Sequence, residues 1–163
     1  QGKHEPPETI YQWKDGRTFG PEDFRETDNV AIALGPWKPG KWLVCLDLDG
    51  TDTPATFFPG LPPTLTQKSP RGLHLFFSVP EFEPLGNWVD CFGTRNAGFQ
   101  LDLRYARGRI VVAPSKGATG AYEWLDWRAP VPLPSSALSA IYGQRHTRGL
   151  PVLDRWERGS KAP

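Results

Sequence analysis

The sequence predicts an α+β domain dominated by a mostly antiparallel sheet, and three observations carry that expectation. Short apolar runs alternate with polar residues at the period of two that marks a half-buried strand. The 18 Pro and 17 Gly of the 163-residue chain punctuate those runs and leave little room for long helices. One stretch near the end, 135–142, reads as a short helix, and no internal repeat is visible. A chain of this length is one domain of ordinary size, able to bury a real core.

In order, residues 1–28 form a polar, Pro/Glu-rich irregular arm around Tyr11, Gln12 and Trp13. Residues 29–34 read as a strand ended by Gly35 and Pro36, and Pro39-Gly40 turns the chain into a strand over 42–49. A short helix is expected around 54–58, broken by Gly60 and by Pro62-Pro63. Residues 65–68 form a short strand, Ser69 to Gly72 a turn, and 73–79 a longer strand. Residues 100–104 and 109–114 read as a hairpin around Ala106, Arg107 and Gly108, and 122–127 as a further strand. The expected division is a domain over 1–143, with its motifs in 29–116, and a polar tail over 144–163 leading toward another domain. With no Met anywhere and Gln at position 1, the chain reads as a piece of a longer protein.

Composition excludes several classes. At 38% hydrophobic and 23% charged the chain is globular rather than disordered. No apolar run reaches the length of a membrane span, and no secretory signal opens the sequence. Cys45 and Cys91 give neither a disulfide framework nor metal-ligand spacing, and Cys45 reads as a small buried hydrophobe in a reducing cytoplasm. Net charge is only +1, yet residues 104–163 carry ten Lys/Arg against four Asp/Glu. That bias suits either a phosphate-rich partner or a solvated tail.

Chemistry concentrates on one face of three strands. Val44, Leu46 and Leu48 oppose Asp47 and Asp49; Leu73, Leu75 and Phe77 oppose His74, Phe76 and Ser78; Leu101 and Leu103 oppose Gln100, Asp102 and Arg104. If these strands share a sheet, Asp47, Asp49, Asp102 and His74 gather on one surface. Two carboxylates side by side raise each other's pKa unless a cation lies between them, and hard oxygen ligands suit Mg²⁺ or Mn²⁺.

Asp47-Leu48-Asp49-Gly50-Thr51 after an apolar strand is also how haloacid-dehalogenase-like phosphatases begin, with the first Asp as nucleophile. That chemistry needs a downstream acidic pair and crossover helices; acids after Asp52 are scattered and such helices are missing. The turn before His74 offers a different use. Gly72 lets a ligand approach the backbone, and Arg71 can grip phosphate oxygens bidentately. The stretch from Leu101 to Ser115 adds a third carboxylate, Asp102, and a basic hairpin.

Asp47-x-Asp49, Ser69-Pro70-Arg71-Gly72-Leu73-His74 and Leu101-Asp102-Leu103-Arg104, in this order, resemble the bifunctional DNA primase/polymerase family of the archaeo-eukaryotic primase superfamily. The run 29–35 and the ending Ile110 to Ser115 match as well, so the resemblance covers roughly 29–116. It implies an RRM-like catalytic core with a small flanking α/β module, and template-directed nucleotidyl transfer with two divalent cations, Mg²⁺ or Mn²⁺. By the same resemblance Asp47, Asp49 and Asp102 would hold the ions, and Ser69, Arg71, Gly72 and His74 would contact the triphosphate. Arg104, Arg109, Ser115 and Lys116 are further candidates for nucleotide or template contact. The implied partners are nucleoside triphosphates, single-stranded template and primer, and a helicase fused to or working with the domain; no membrane is implied. A nucleotide- or DNA-binding replication module without turnover stays open beside the phosphatase. Trp88, Phe92, Trp124 and Trp127 could stack on bases, but aromatics in a small sheet domain more often belong to the core.

Overall fold

A computed structural model describes residues 28–148. The strands are β1 (Val30–Ala33), β2 (Gly35–Lys38), β3 (Lys41–Asp49), β4 (Leu65–Lys68), β5 (Gly72–Pro80), β6 (Gln100–Arg104), β7 (Arg109–Val112), β8 (Lys116–Gly117), β9 (Gly120–Ala121) and β10 (Glu123–Asp126). One α-helix, α1 (Ser135–Thr147), closes the described chain. The architecture is thus α+β and mostly antiparallel. No helix among the described residues is long and apolar enough to cross a membrane. The expected N-terminal arm lies almost entirely outside the described residues.

The main sheet has six strands. β10, β4, β5 and β3 lie side by side, and the far edge of β3 is shared between β2 and β6. β3 is the axis: all nine of its residues pair with β5, and Cys45 to Asp49 also pair with β6. On one face Val44, Leu46, Leu48, Leu75, Phe77, Leu101 and Leu103 build the larger core, against which α1 packs Ala137 and Ile141. The other face is not solvent throughout. Leu43, Cys45 and Phe76 are buried there beneath Leu34, Ile110 and Val112 in a second, smaller core. Cys45 is fully buried, as expected of a small hydrophobe.

The lid of that second core explains two departures from expectation. β6 and β7 form no hairpin; β7 pairs with β1 in a separate two-stranded ribbon, and β6 joins β3. Asn87 redirects the chain between them, its Oδ1 accepting from Tyr105 N–H at 2.9 Å and its Nδ2 donating to Ala106 O at 3.0 Å. Nor do Gly35 and Pro36 end the first strand for good. Gly35 takes a φ of 126°, a left-handed conformation open to glycine. There the chain leaves the ribbon and enters the main sheet as β2.

Smaller differences follow from local packing. The helix expected around 54–58 is a 3₁₀ turn, Pro54–Thr56. α1 runs on to Thr147, past its expected end at 142, because Ile141 and Arg145 are buried against the domain; residues 149–163 lie outside the described residues. Of the aromatics, Trp88 is buried and Phe92 packs on the larger core, while Trp127 is 73% exposed.

Candidate active site

The smaller core covers only the first half of β3's second face. Along that face β3 presents Leu43, Cys45, Asp47 and Asp49 in turn, and the smaller core takes in only the first two. Asp47 faces His74 on β5 and Asp102 on β6, and His74 faces Gln67 on β4. Directly opposed residues on neighbouring antiparallel strands point to the same side. Gln67, His74, Asp47 and Asp102 therefore form one row across four strands, and all four are buried.

Two guanidinium groups hold the acids. Arg104 places Nη2 2.8 Å from Asp102 Oδ2 and Nε 3.7 Å from Asp47 Oδ2. Arg71 places Nη2 2.6 Å from Asp49 Oδ2, though its side chain is 69% exposed. His74 Nε2 lies 3.2 Å from Asp47 Oδ1. Asp102 Oδ1 also accepts from Asp90 N–H at 2.8 Å and from Gln100 Nε2 at 3.1 Å. Burial, and then the neighbouring Asp47 carboxylate, push the Asp49 carboxyl above the usual carboxylate range, with Arg71 opposing. The Tyr122 phenol, whose ring centroid is 5.7 Å from that of His74, is raised by burial and then by Asp47.

The turn from β4 to β5 is drawn tight by Ser69, whose Oγ accepts from the N–H groups of Arg71 (3.3 Å) and Gly72 (3.0 Å). A Cβ on Gly72 would lie 2.1 Å from Leu48 O and 2.7 Å from Thr51 O. The chain's own backbone, rather than a ligand, thus demands glycine at this position.

A cavity of about 190 Å³ opens over the row, lined among others by Asp47, Asp49, Arg71, His74, Arg104 and Arg109. Larger hollows of about 630 and 420 Å³ adjoin it, and Arg71 lines all three. Ser69 also lines the small cavity. Two of the expected contacts stand elsewhere. Ser115 is buried in a clasp with Val30, its Oγ accepting Val30 N–H at 2.7 Å and donating to Val30 O at 3.1 Å. Lys116 is exposed, and its backbone pairs with the Asn29 side chain. Sequence reasoning missed Gln67, Asp90 and Tyr122, and placed Gln100 on the acidic face without giving it a role. A signal for Gln67 existed, since a turn closed between Ser69 and Gly72 sets position 67 opposite 74.

A family model described as the N-terminal domain of bifunctional DNA primase/polymerase matches residues 1–136. The chain belongs to the Prim-Pol family. The match is wider than the 29–116 carried by the motifs, and it replaces the phosphatase reading. No curated protein and no solved structure matches the chain. Prim-Pol enzymes are generally dependent on divalent metals, so the acids need testing as ligands. Among the described residues no group of three or more His, Cys, Asp or Glu side chains is arranged as a cage for a metal ion. The donor chemistry nonetheless fits a hard cation. Asp47 and Asp49 offer oxygens on one face, and the raised Asp49 carboxyl is an imbalance that positive charge relieves. Asp102 has three hydrogen-bond donors on a carboxylate that can accept about four.

Proposed function

We propose that this Prim-Pol domain is a divalent-metal-dependent, template-directed nucleotidyltransferase, with the β4–β5–β3–β6 part of its sheet as an RRM-like catalytic core. The row of Asp47, Asp102 and His74 beside Asp49, with Asp47, Asp49 and His74 lining a cavity together with Arg71, Arg104 and Arg109, carries the proposal. Asp47, Asp49 and Asp102 would hold two Mg²⁺ or Mn²⁺ ions. When bound, the ions supply activation of the attacking hydroxyl and charge stabilisation of the transferring phosphoryl group and pyrophosphate.

The chain's own residues do the rest. Arg71 is mostly exposed on its ion pair, so its guanidinium can exchange Asp49 for triphosphate oxygens at little cost. His74 turns Nε2 toward the same cavity, and Ser69 and Gly72 shape the turn that carries Arg71. Arg104 and Arg109 line the same cavity and suit nucleotide or template phosphates. Ser115 and Lys116 stand outside its lining, and Ser115 instead clasps Val30 of β1. The implied substrates are nucleoside triphosphates and a primed or unprimed single-stranded DNA template. The helicase association implied by the resemblance has no support among these observations.

Primer-extension and de novo synthesis assays with Mn²⁺ or Mg²⁺ test the proposal. Synthesis by the wild type and its loss in Asp47→Ala/Asp49→Ala are expected. Asp102→Ala is expected to be about as damaging, because ligands of a shared metal pair fail as a unit. Undiminished synthesis by the double variant overturns the assignment. Tight nucleotide binding with no incorporation on any template replaces it with a binding module.

A further inference from the structure

Gln67 is fully buried although it is polar, and every hydrogen-bonding group of its amide is engaged. Its Oε1 accepts from Ala113 N–H at 3.0 Å, and its Nε2 donates to Val111 O at 2.8 Å. These backbone partners fix which end of the amide is nitrogen, since a carbonyl can only accept and a peptide N–H can only donate. The second Nε2 hydrogen then points at His74 Nδ1, 2.6 Å away. Nδ1 must be the accepting nitrogen, so the ring hydrogen belongs on Nε2, which lies 3.2 Å from Asp47 Oδ1 at the cavity.

We propose that Gln67 is a positioning residue for nucleotidyl transfer: anchored to β7, its amide locks His74 in the Nε2–H tautomer and holds that N–H toward the cavity, where it can donate to an anionic oxygen of the incoming triphosphate. The proposal rests on the reading of His74 as a triphosphate contact. Gln67 itself touches no substrate and acts through the ring. Partners that orient a histidine from behind commonly matter by about 10–100-fold where the histidine binds a metal, and the same geometric reasoning applies to a hydrogen-bond donor.

Nitrogen-15 NMR on the full chain with labelled histidine, without metal, reads the tautomer directly. The His74 signal is the one missing from a His74→Ala sample. The wild type is expected to show hydrogen on Nε2 alone, and Gln67→Met, similar in length but without the amide, a mixture of tautomers. In primer extension the same variant is expected to raise KM for the nucleoside triphosphate by about 10–100-fold and to leave KM for primer-template unchanged. A merely structural role would lower thermal stability without splitting the two KM values or changing the tautomer.

Hydrogen on Nδ1 in the wild type overturns the proposal, as does a folded Gln67→Met protein with unchanged KM for nucleotide. If that variant does not fold, the wild-type tautomer alone decides. Failure of the polymerase reading looks different: no synthesis by the wild type, with His74 still in the Nε2–H form.

Discussion

Asp49 shows most plainly what the site costs the fold. Its carboxyl is raised above the ordinary value of 3.8, chiefly by burial and by Asp47. Between the unfolded and folded values the folded protein keeps a proton that the unfolded chain has released, so stability falls as pH rises through that window. Above it the penalty is complete. Asp49→Asn removes the penalty and loses only an ion pair to a mostly exposed Arg71, a contact of small worth. Thermal melts without metal are therefore expected to give the variant the higher Tm at neutral pH, with the gap closing as pH falls below the usual carboxylate range. An equal or lower Tm at neutral pH would refute this account. The acids and His74 are legible in the sequence because alternation alone assigns them to one face, and Arg71 because it stands in the Gly turn that leads into His74. Gln67 is legible only as the position opposite His74; its burial is not, because a polar residue in a four-residue strand carries no mark of burial until the neighbouring ribbon is known.

At the scale of elements, the strands that carry chemistry are the most legible, because each sets aliphatic residues on one face against polar ones on the other. Pairing is less so. Ile110 and Val112 suit a hairpin with β6 as well as a ribbon with β1, and only the competition for β3's edge, which β6 wins with five paired residues, decides between them. α1 extends beyond its expected end for a similar tertiary reason. Arg145 reaches the Leu85 carbonyl, Arg148 Nη1 donates to Asp90 O at 2.6 Å, and Asp90 N–H in turn holds Asp102. The helix thus lies mostly beyond the matched residues 1–136, yet it steadies the loop behind the third acid. Ile141 is its fully buried anchor. Ile141→Ala is expected to cost about 2–5 kcal/mol in urea unfolding, with the denaturant slope unchanged. A cost under 1 kcal/mol would mean that α1 contributes little to the core.

Across the whole molecule, a net charge of +1 cannot draw a polyanion by itself. On the proposed function, attraction for template comes from local charge, for which Arg71, Arg104 and Arg109 around the cavity are the candidates. Affinity for single-stranded DNA is therefore expected to fall with salt, with a log–log slope of about −0.7 for each phosphate contacted. A slope near zero in a fluorescence-anisotropy titration over NaCl concentration would rule out phosphate contact as the source of binding. The molecule divides one sheet between two cores and uses the uncovered remainder for its acids. The row from Gln67 to Asp102 has an evolutionary consequence. It exists only while four strands keep step, and a shift of one residue turns a strand's whole set of side chains over. The stretch 81–99, between β5 and β6, is tied to the same register, since Trp88 exchanges backbone hydrogen bonds with Leu103 and Asp90 N–H holds Asp102. A single codon gained or lost inside β3 exchanges Asp47 and Asp49 for their apolar neighbours, so the lengths of these strands are held as tightly as the identities of the residues in the row.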